Sequence, residues 1–419
     1  MIKLQLHSLS LQMIVAAIFA VLLAYLLPDS WLSADSTFMA TVGLGKLIYI
    51  GALKMLVGVV VLFALLQGIT HIGSVVRLKA LGLKTLAIYT LTSTLAIALG
   101  LGAALLIPAW PPLENLPSAD PGVSLINQDA AQSGEIAQKL LTMALVNPLQ
   151  ALAAGDLLAI VVFAVMLGIA LLVSLPEKHP LFTIIDGINN GLNKLISVIV
   201  RFAPIAIFSI ILQYMTSGNT HVFGELAQFA LLVFVLTAIH GGITLPLLAK
   251  IFSQRKLLPM MKAISTPMAM AFATSSSSAT LPLSLQVARD DLHISDSTSS
   301  MVLPLGSIMN MDGTALFEGV AAIFLAQLYG LDFGTTEYVL IFIMAMVSSI
   351  GAPGMPSGSM SGMQLVMLTV GIPLEAIAIL LIIERPLDTF RTAVNVEGDL
   401  IAAVIIDKWQ GRSVAPRPI

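Results

Sequence analysis

Residues 271–282 read AFATSSSSATLP and place five consecutive hydroxyl side chains, Thr274 to Ser278, in one of the most apolar regions of the chain. Of the 419 residues, 57% are hydrophobic and 10% are charged, a composition typical of a polytopic membrane protein. Buried hydroxyl groups are costly unless they are hydrogen-bonded. The stretch therefore indicates either close packing between helices or a polar site within the membrane, and five hydroxyls in a row favour the site.

Apolar segments of about 20 residues can span a bilayer, and the chain has enough of them to predict an all-α polytopic fold with eight transmembrane helices. We interpret the first segment as a retained helix because no small-residue cleavage site follows it. The absence of cysteine excludes disulfides, thiolate metal sites and cysteine catalysis. The predicted spans are about 11–27, 46–73, 84–107, 147–174, 193–215, 226–251, 298–328 and 376–407.

The distribution of Lys and Arg predicts the orientation of the chain. The loops at 74–84 and 250–262 are basic and are expected to be cytoplasmic, whereas 108–138 contains acids but no Lys or Arg and is expected outside. An even number of spans then places both termini in the cytoplasm of a multi-pass protein of the plasma (inner) membrane.

The two parts of the chain differ in character. Residues 1–250 predict mainly a scaffold of uninterrupted apolar helices, whereas residues 251–419 predict a domain whose apolar segments are broken by polar clusters. At about 258–292 and at about 336–372, which contains VSSIGAPGMPSGSMSG, two short apolar arms flank a polar tip. Non-helical tips are tolerated in a membrane only inside protein or beside a cavity. We expect two re-entrant helical hairpins that enter from opposite faces, the inverted-repeat plan of secondary transporters.

The last span, IIERPLDTFRTAVNVEGDLIAAVII, carries polar residues at a spacing of three or four, which puts them on one face of a helix. Each unpaired ion in a span costs about 2.5–3.5 kcal/mol, so chance retention is implausible. A structural ion pair of Arg391 with Glu384 or Asp388 explains part of the stripe. Asn395 and Asp399 instead offer oxygens to a hard cation.

The preceding span, MVLPLGSIMNMDGTALFEGVAAIFLAQ, predicts an unwound segment because Pro304 and two glycines bracket Asn310 and Asp312. Carbonyl and carboxylate oxygens of such a segment suit hard cations. Glu318 stands among apolar residues, and burial disfavours the charged form of a carboxyl. It is a candidate proton carrier, and the alternative is a residue that faces a watery crevice.

Five carboxyls selected from these spans are set against two arginines, which leaves three negative charges in surplus; they are Asp312, Glu318, Glu384, Asp388 and Asp399, against Arg385 and Arg391. Sodium ions, a proton and a substrate ammonium are the natural counterions, while Arg391 suits a carboxylate through bidentate pairing. We therefore expect an acidic amino acid as substrate, and no nucleic acid partner. An intramembrane serine hydrolase is a rival hypothesis, but it lacks a base, because His240 stands alone in an apolar span and is interpreted as a hydrogen-bonded core residue. A passive channel is another rival.

Four segments, TSSSSATLP, NMDGTAL, SIGAPGMP and DTFRTAVNVEGD, resemble signature segments of the glutamate/aspartate:cation symporters, the family that includes excitatory amino acid transporters. NPLQALAAGDLLAIVVFAVMLGIA and RFAPIAIF extend the resemblance over nearly the whole chain. The resemblance implies a homotrimer, no cofactor besides sodium as coupling ion, and a transport domain that moves like an elevator. That domain would comprise the two hairpins, helix 7 (about 298–328) and helix 8 (about 376–407), joined by the third span (about 84–107).

The resemblance also implies binding residues. Those for substrate would be Ser276, Ser277, Ser278, Met311, Thr314, Met355, Asp388, Arg391, Thr392 and Asn395. Those for sodium would be Tyr89, Thr92, Ser93, Gly306, Ile308, Asn310, Asp312, Ser349, Ile350, Ala352, Asn395 and Asp399.

Three positions depart from the archaeal members that the chain resembles. Ser275 stands where they carry an arginine, a part that Arg385 could take over; Glu318 stands where they carry glutamine; and Ser359 replaces a usual glycine. The choices between glutamate and aspartate, between sodium and proton drive, and of a neutral amino acid or dicarboxylate as substrate stay open.

Overall fold

The computed structural model describes residues 9–33, 35–70, 81–113, 138, 141–218, 220–351, 359–373 and 376–411. This described part is helical and contains no strand. In chain order its helices are α1 (Leu9–Leu26), α2 (Asp29–Leu32), α3 (Thr37–Thr70), α4 (Leu83–Leu106), α5 (Pro148–Ala154), α6 (Leu157–Ser174), α7 (Pro180–Val200), α8 (Ala203–Thr216), α9 (Val222–Ile239), α10 (Leu245–Ser253), α11 (Leu257–Thr274), α12 (Ser277–Asp290), α13 (Asp296–Met309), α14 (Asp312–Leu328), α15 (Thr335–Gly351), α16 (Ser359–Thr369) and α17 (Ile377–Trp409).

Several of these helices are long and apolar enough to cross a membrane, as expected for a polytopic membrane protein. In the described part, four qualify by length and composition, and the pair α7 and α8, bent by 43°, makes a fifth if it forms one span. α17 is long enough but carries many charged residues. Each of the eight expected spans coincides with one or more of the helices. The four segments that qualify by length and composition are Thr37–Thr70, Leu83–Leu106, Val222–Ser253 and Asp296–Leu328.

Three expected spans differ from the structure in their bounds, and the span expected from 46 begins at Thr37. The segment 147–174 is divided into α5 and α6, because Gly155 adopts a left-handed φ of 79° and closes α5 with a hydrogen bond to Ala151 O. The fifth expected span begins earlier than 193, at Pro180, because α7 is amphipathic and its polar residues interrupt the hydrophobic run.

The serine stretch forms the turn of the first expected hairpin. α11 ends at Thr274; the next residue, Ser275, has a left-handed φ of 49°, and the chain reverses there. Ser276 then caps α12, because its hydroxyl accepts a hydrogen bond of 3.2 Å from Ala279 N, as small polar residues do at helix N-termini. α11 and α12 pack against each other and against α17.

The unwound segment expected within the span at about 298–328 is confirmed. α13 ends at Met309, Asn310 and Met311 have non-helical backbone angles, and α14 begins at Asp312. The break leaves backbone groups of both helix ends free for other partners.

α17 lies at the centre of the second part of the chain. It contacts α9 to α14, and every residue from Arg391 to Asp407 is buried. Protein therefore encloses this section of α17 on all sides, so its charged residues face neighbouring helices rather than lipid.

Candidate functional site

Arg391 holds three helices together at the centre of the candidate site. Its side chain is fully buried and its guanidinium carbon lies 3.9 Å from the ring centre of Phe317 in α14. One terminal nitrogen lies within hydrogen-bonding distance of three oxygens, Glu384 Oε1 and Asp388 Oδ1 at 3.3 Å and Ser359 Oγ of α16 at 3.2 Å, which share its two hydrogens. The expected ion pair with Glu384 and Asp388 is confirmed.

The other two nitrogens of the Arg391 guanidinium make no hydrogen bond within the described part of the protein. Nε and the other terminal nitrogen of Arg391 are buried and have no hydrogen-bond partner among the described residues. Buried donors without partners are costly, and guanidinium donors match the geometry of a carboxylate. The arrangement can therefore take a carboxylate of a bound molecule.

Asp388 and its neighbours form the next turn of α17. Asp388 is buried, and its second oxygen lies 3.7 Å from Arg385, whose side chain is 16% exposed. Thr392 donates its hydroxyl hydrogen to Asp388 O at 2.7 Å. The Thr392 hydroxyl is thus engaged within its own helix and keeps its acceptor capacity.

Asn395 joins the start of α14 to α17. Its Oδ1 accepts a hydrogen bond of 2.8 Å from Gly313 N, and its Nδ2 donates to Thr314 Oγ1 at 3.3 Å. A methyl group at Gly313 would lie 2.8 Å from Arg391 O, so glycine permits the close approach. Met311, just before this contact, is buried.

Asp399 lies beside the helix break. Its Oδ1 accepts a hydrogen bond of 3.0 Å from Asn310 Nδ2, and its carboxyl lies against Gly306. The hydroxyl of Tyr89 lies beside the same glycine and donates to Val302 O at 2.6 Å. Buried carboxylate and amide oxygens of this kind fit a hard monovalent cation.

Asp312 forms a second group of oxygens with α4. Its Oδ1 accepts hydrogen bonds from Ser93 Oγ at 2.8 Å and Thr92 Oγ1 at 3.1 Å. Thr92 Oγ1 also lies 3.3 Å from Asn310 Oδ1. The structure therefore brings the hydroxyls of the third span to the expected sodium residues of helix 7.

The serines of the first hairpin lie at the N-terminus of α12. Ser276 and Ser277 are buried, whereas Ser278 is exposed. Phe272 of α11 contacts Phe390 of α17 with ring centres 5.0 Å apart, so the turn lies beside the last helix. The exposed Ser278 is the member of the expected substrate set that these helices leave uncovered.

Four of the expected sodium residues, Ile308, Ser349, Ile350 and Ala352, are only partly described. Ser349 is buried and donates to Met346 O at 2.8 Å, and the side chain of Ile308 packs against Gly68 of α3. The side chain of Ile350, together with Ala352 and Met355, lies outside the described residues.

Glu318 is completely buried in α14, and its carboxyl interacts with the hydroxyl of Ser348. Its carboxyl and the hydroxyl of Ser348 both lie against Gly362 of α16. Glu318 therefore faces the second expected hairpin rather than an exposed crevice.

Two buried residues lie in this region although the sequence pattern did not place them there. His240 is buried and hydrogen-bonded as expected, but its partner is Asp312 Oδ2, at 3.4 Å. Glu397 is fully buried and lies off the three-and-four spacing of the stripe, so periodicity did not select it. With Glu397 added to the five carboxyls selected from the sequence, six of them stand against Arg385 and Arg391, a formal surplus of four negative charges. The only available signal was a carboxyl within NVEGD, between two expected cation ligands.

Comparison with known proteins shows to which family the chain belongs. The model of the sodium:dicarboxylate symporter family matches residues 9–409. The chain belongs to this family. Since the family consists of symporters, the chain is a transporter and not an enzyme, which excludes the serine hydrolase hypothesis.

Three relatives of this symporter are named as symporters or transporters of amino acids. The chain is 29% identical over 409 residues to a proton/glutamate-aspartate symporter of Escherichia coli (strain K12), covering 96% of this chain and 93% of the relative. It is 29% identical over 372 residues to a proton/sodium-glutamate symport protein of Bacillus caldotenax, covering 87% of each. It is also 34% identical over 260 residues to a neutral amino acid transporter B(0) of Oryctolagus cuniculus, covering 62% of this chain and 48% of the relative.

Proposed function

We propose that this symporter imports an acidic amino acid, glutamate or aspartate, together with sodium ions, with Glu318 as the carrier of a coupled proton. The names of the bacterial relatives, a proton/glutamate-aspartate symporter and a proton/sodium-glutamate symport protein, support the substrate class. Both relatives are matched over most of their length.

One observation carries the proposal. Arg391 is a fully buried cation with two unpartnered nitrogens. An acidic side chain of the substrate would take these donors, while Asp388 on the adjacent turn would take the substrate ammonium. An acidic amino acid thus complements both charges.

The proposed binding residues are those implied by the family resemblance. The proposal is supported by contacts of Asn310 and Asp399 where the break between α13 and α14 meets α17, and of the α4 hydroxyls with Asp312. Substrate would contact Ser276, Ser277, Ser278, Met311, Thr314, Met355, Asp388, Arg391, Thr392 and Asn395. Sodium would contact Tyr89, Thr92, Ser93, Gly306, Ile308, Asn310, Asp312, Ser349, Ile350, Ala352, Asn395 and Asp399.

The surplus of buried negative charge gives a physical reason for cation coupling. Each sodium ion moving down a tenfold gradient contributes about 1.4 kcal/mol, and each net charge about 2.3 kcal/mol per 100 mV. A few ions therefore support concentrative uptake. Binding is expected to be cooperative because the bound charges neutralise each other.

The proposed mechanism is an elevator in a homotrimer of the plasma (inner) membrane, with both termini cytoplasmic. The scaffold would lie mainly in 1–250 and the transport domain in 251–419 with the third span. The proposed topology has eight spans and two re-entrant hairpins in inverted repeat. It is supported by the turn at Ser275, the break at Asn310, and the packing of α4 along α14.

A second candidate is a neutral amino-acid symporter with the same fold. The ion pairs of Arg391 with Glu384 and Asp388 favour it, because they already neutralise the guanidinium inside the protein. The similarity to the neutral amino acid transporter B(0) points in the same direction.

Uptake of radiolabelled aspartate into proteoliposomes tests the proposal. We expect accumulation above the outside concentration when an inward sodium gradient is imposed, with competition by glutamate and not by alanine. Competition by alanine with no aspartate accumulation would support the second candidate. Equilibration without accumulation under every sodium and proton gradient would indicate a passive channel and overturn the proposal.

A further inference from the structure

Ser359 is a buried hydroxyl residue that none of the proposed binding sites uses. It is the first residue of α16, in the second expected hairpin, and only 3% of it is exposed. Its Oγ lies 3.2 Å from Arg391 Nη2, from which it can accept a hydrogen bond, and 3.4 Å from Glu384 Oε1, to which it can donate one. The hydroxyl therefore lies between two charged groups of α17, inside the proposed substrate site.

The hydroxyl of Ser359 has little freedom to move. Arg391 Nη2 carries two hydrogens and lies within 3.3 Å of three oxygens, which are Ser359 Oγ, Glu384 Oε1 and Asp388 Oδ1. Carboxylates bind a guanidinium more strongly than a neutral hydroxyl does, but the hydroxyl also has a hydrogen of its own to donate to Glu384. Contacts with both charges at once keep Ser359 at the Nη2 end of the guanidinium.

The surroundings of Arg391 determine where a substrate carboxylate can bind. Phe317 covers one face of the guanidinium, with 3.9 Å between the guanidinium carbon and the ring centre. Ser359 and two carboxylates surround Nη2, whereas Nε and Nη1 have no hydrogen-bond partner among the described residues. A carboxylate that extends beyond these two nitrogens towards Nη2 therefore meets the hydroxyl of Ser359.

The proposed anchor for the substrate ammonium is close to this arginine. Asp388 precedes Arg391 by one turn of α17, and its Oδ1 is 3.3 Å from Nη2. The carboxylate carbon of an aspartate side chain is two bonds from the α-carbon, and that of a glutamate side chain is three bonds away. With the ammonium held at Asp388, the glutamate carboxylate therefore reaches farther along the guanidinium than the aspartate carboxylate does.

We propose that Ser359 makes this site selective for aspartate over glutamate, because its hydroxyl occupies the end of Arg391 that the longer side chain needs. The inference rests on the proposed function, since it requires an acidic side chain at Arg391. A difference of one methylene group is worth about 10-fold or more when a pocket distinguishes two substrates by size. We therefore expect aspartate to bind about 10-fold more tightly than glutamate.

Uptake and competition in proteoliposomes under an inward sodium gradient test the inference. Unlabelled aspartate and glutamate compete with whichever radiolabelled acid is taken up, and the readout is the inhibition constant of glutamate divided by that of aspartate. Ser359→Gly should lower this ratio by about 10-fold, to near one, because the hydroxyl and its carbon are removed. Ser359→Thr, which adds a methyl group beside the hydroxyl, should raise it.

Ser299→Gly is the matched control. Ser299 is also a buried serine near the start of a helix, but its hydroxyl donates to Ser295 O, within the same turn, at 3.1 Å. The control should keep the ratio of the wild type.

A wild type that binds glutamate as tightly as aspartate, or more tightly, overturns the inference. An unchanged ratio in Ser359→Gly also overturns it, since the hydroxyl would then act on both substrates alike. If that variant does not fold, an unchanged ratio in Ser359→Thr has the same meaning. In these cases acidic amino acids are still taken up and the proposed function stands, whereas a wild type that takes up neither acid rejects the proposed function and this inference with it.

Discussion

Replacement of Arg391 by cysteine tests the proposed substrate specificity. The change removes the guanidinium that would hold the acidic side chain, and it keeps Asp388, which would hold the amino group. We expect aspartate uptake to be abolished while uptake of a neutral amino acid is retained or created.

The magnitude follows from the two nitrogens of Arg391 that have no partner in the described structure. A hydrogen bond to a charged group contributes about 1.5–3 kcal/mol, so two of them are worth about 3–6 kcal/mol. At about 1.4 kcal/mol per tenfold, aspartate affinity should fall by about two to four orders of magnitude. Affinity for a neutral amino acid should change far less.

Competition against radiolabelled aspartate and direct uptake in proteoliposomes measure the effect. Removal of one partner from a buried ion pair costs about 3–5 kcal/mol of stability, so Arg391→Cys should also be combined with Glu384→Gln, which removes the uncompensated charge. Arg289→Cys, at a side chain 64% exposed and paired with Asp296, is the control. Unchanged aspartate uptake by a folded Arg391→Cys protein would refute the proposed role of this arginine.

Three further changes probe other parts of the molecule. Glu318→Gln should abolish the rise of aspartate uptake at low external pH while sodium-driven uptake persists, because the side chain can no longer take up a proton; uptake is measured across a pH series. Gly306→Ala should weaken sodium binding by about 10-fold, because the methyl group meets the carboxyl of Asp399; sodium titration of substrate binding measures this. Asp407→Ala should lower the free energy of unfolding by about 1–3 kcal/mol, because Asp407 Oδ1 accepts bonds of 3.1 and 2.6 Å from Ser295; thermal unfolding measures it.

Each of these changes has a matched control. Glu177→Gln alters an exposed glutamate, Gly102→Ala adds a methyl group with nothing within 4 Å, and Asp290→Ala alters an exposed aspartate. The explanations fail if a control has the same effect as its partner, or if Glu318→Gln keeps the pH dependence of the wild type.

Part of the candidate site could be predicted from sequence because its residues lie on single helices. The spacing of Arg391 from Asp388 sets their contact within α17, and glycine and proline around Asn310 predict the break in helix 7. Local backbone rules act over a few residues, so a sequence displays their result directly.

Contacts between distant segments could not be predicted in this way. The bond of Arg391 to Ser359 and the approach of His240 to Asp312 join different helical segments, across 32 and 72 residues of chain. Glu397 is an example. Its position in α17 is off the polar stripe, and only the packing of Gly241, which lies between α9 and α10, against this side chain shows that the carboxyl is buried.

The sequence by itself determined that the protein is a helical membrane protein with a polar, acidic interior in its second part, because hydrophobicity and helical spacing are local properties that each segment carries alone. Only the tertiary structure decided which side chains of other helices each buried carboxyl contacts. α17 is enclosed by α9 to α14 from Arg391 to Asp407, and in such a low-dielectric interior the charges interact strongly across helices. Their energies therefore depend on distances between helices, which no single segment specifies.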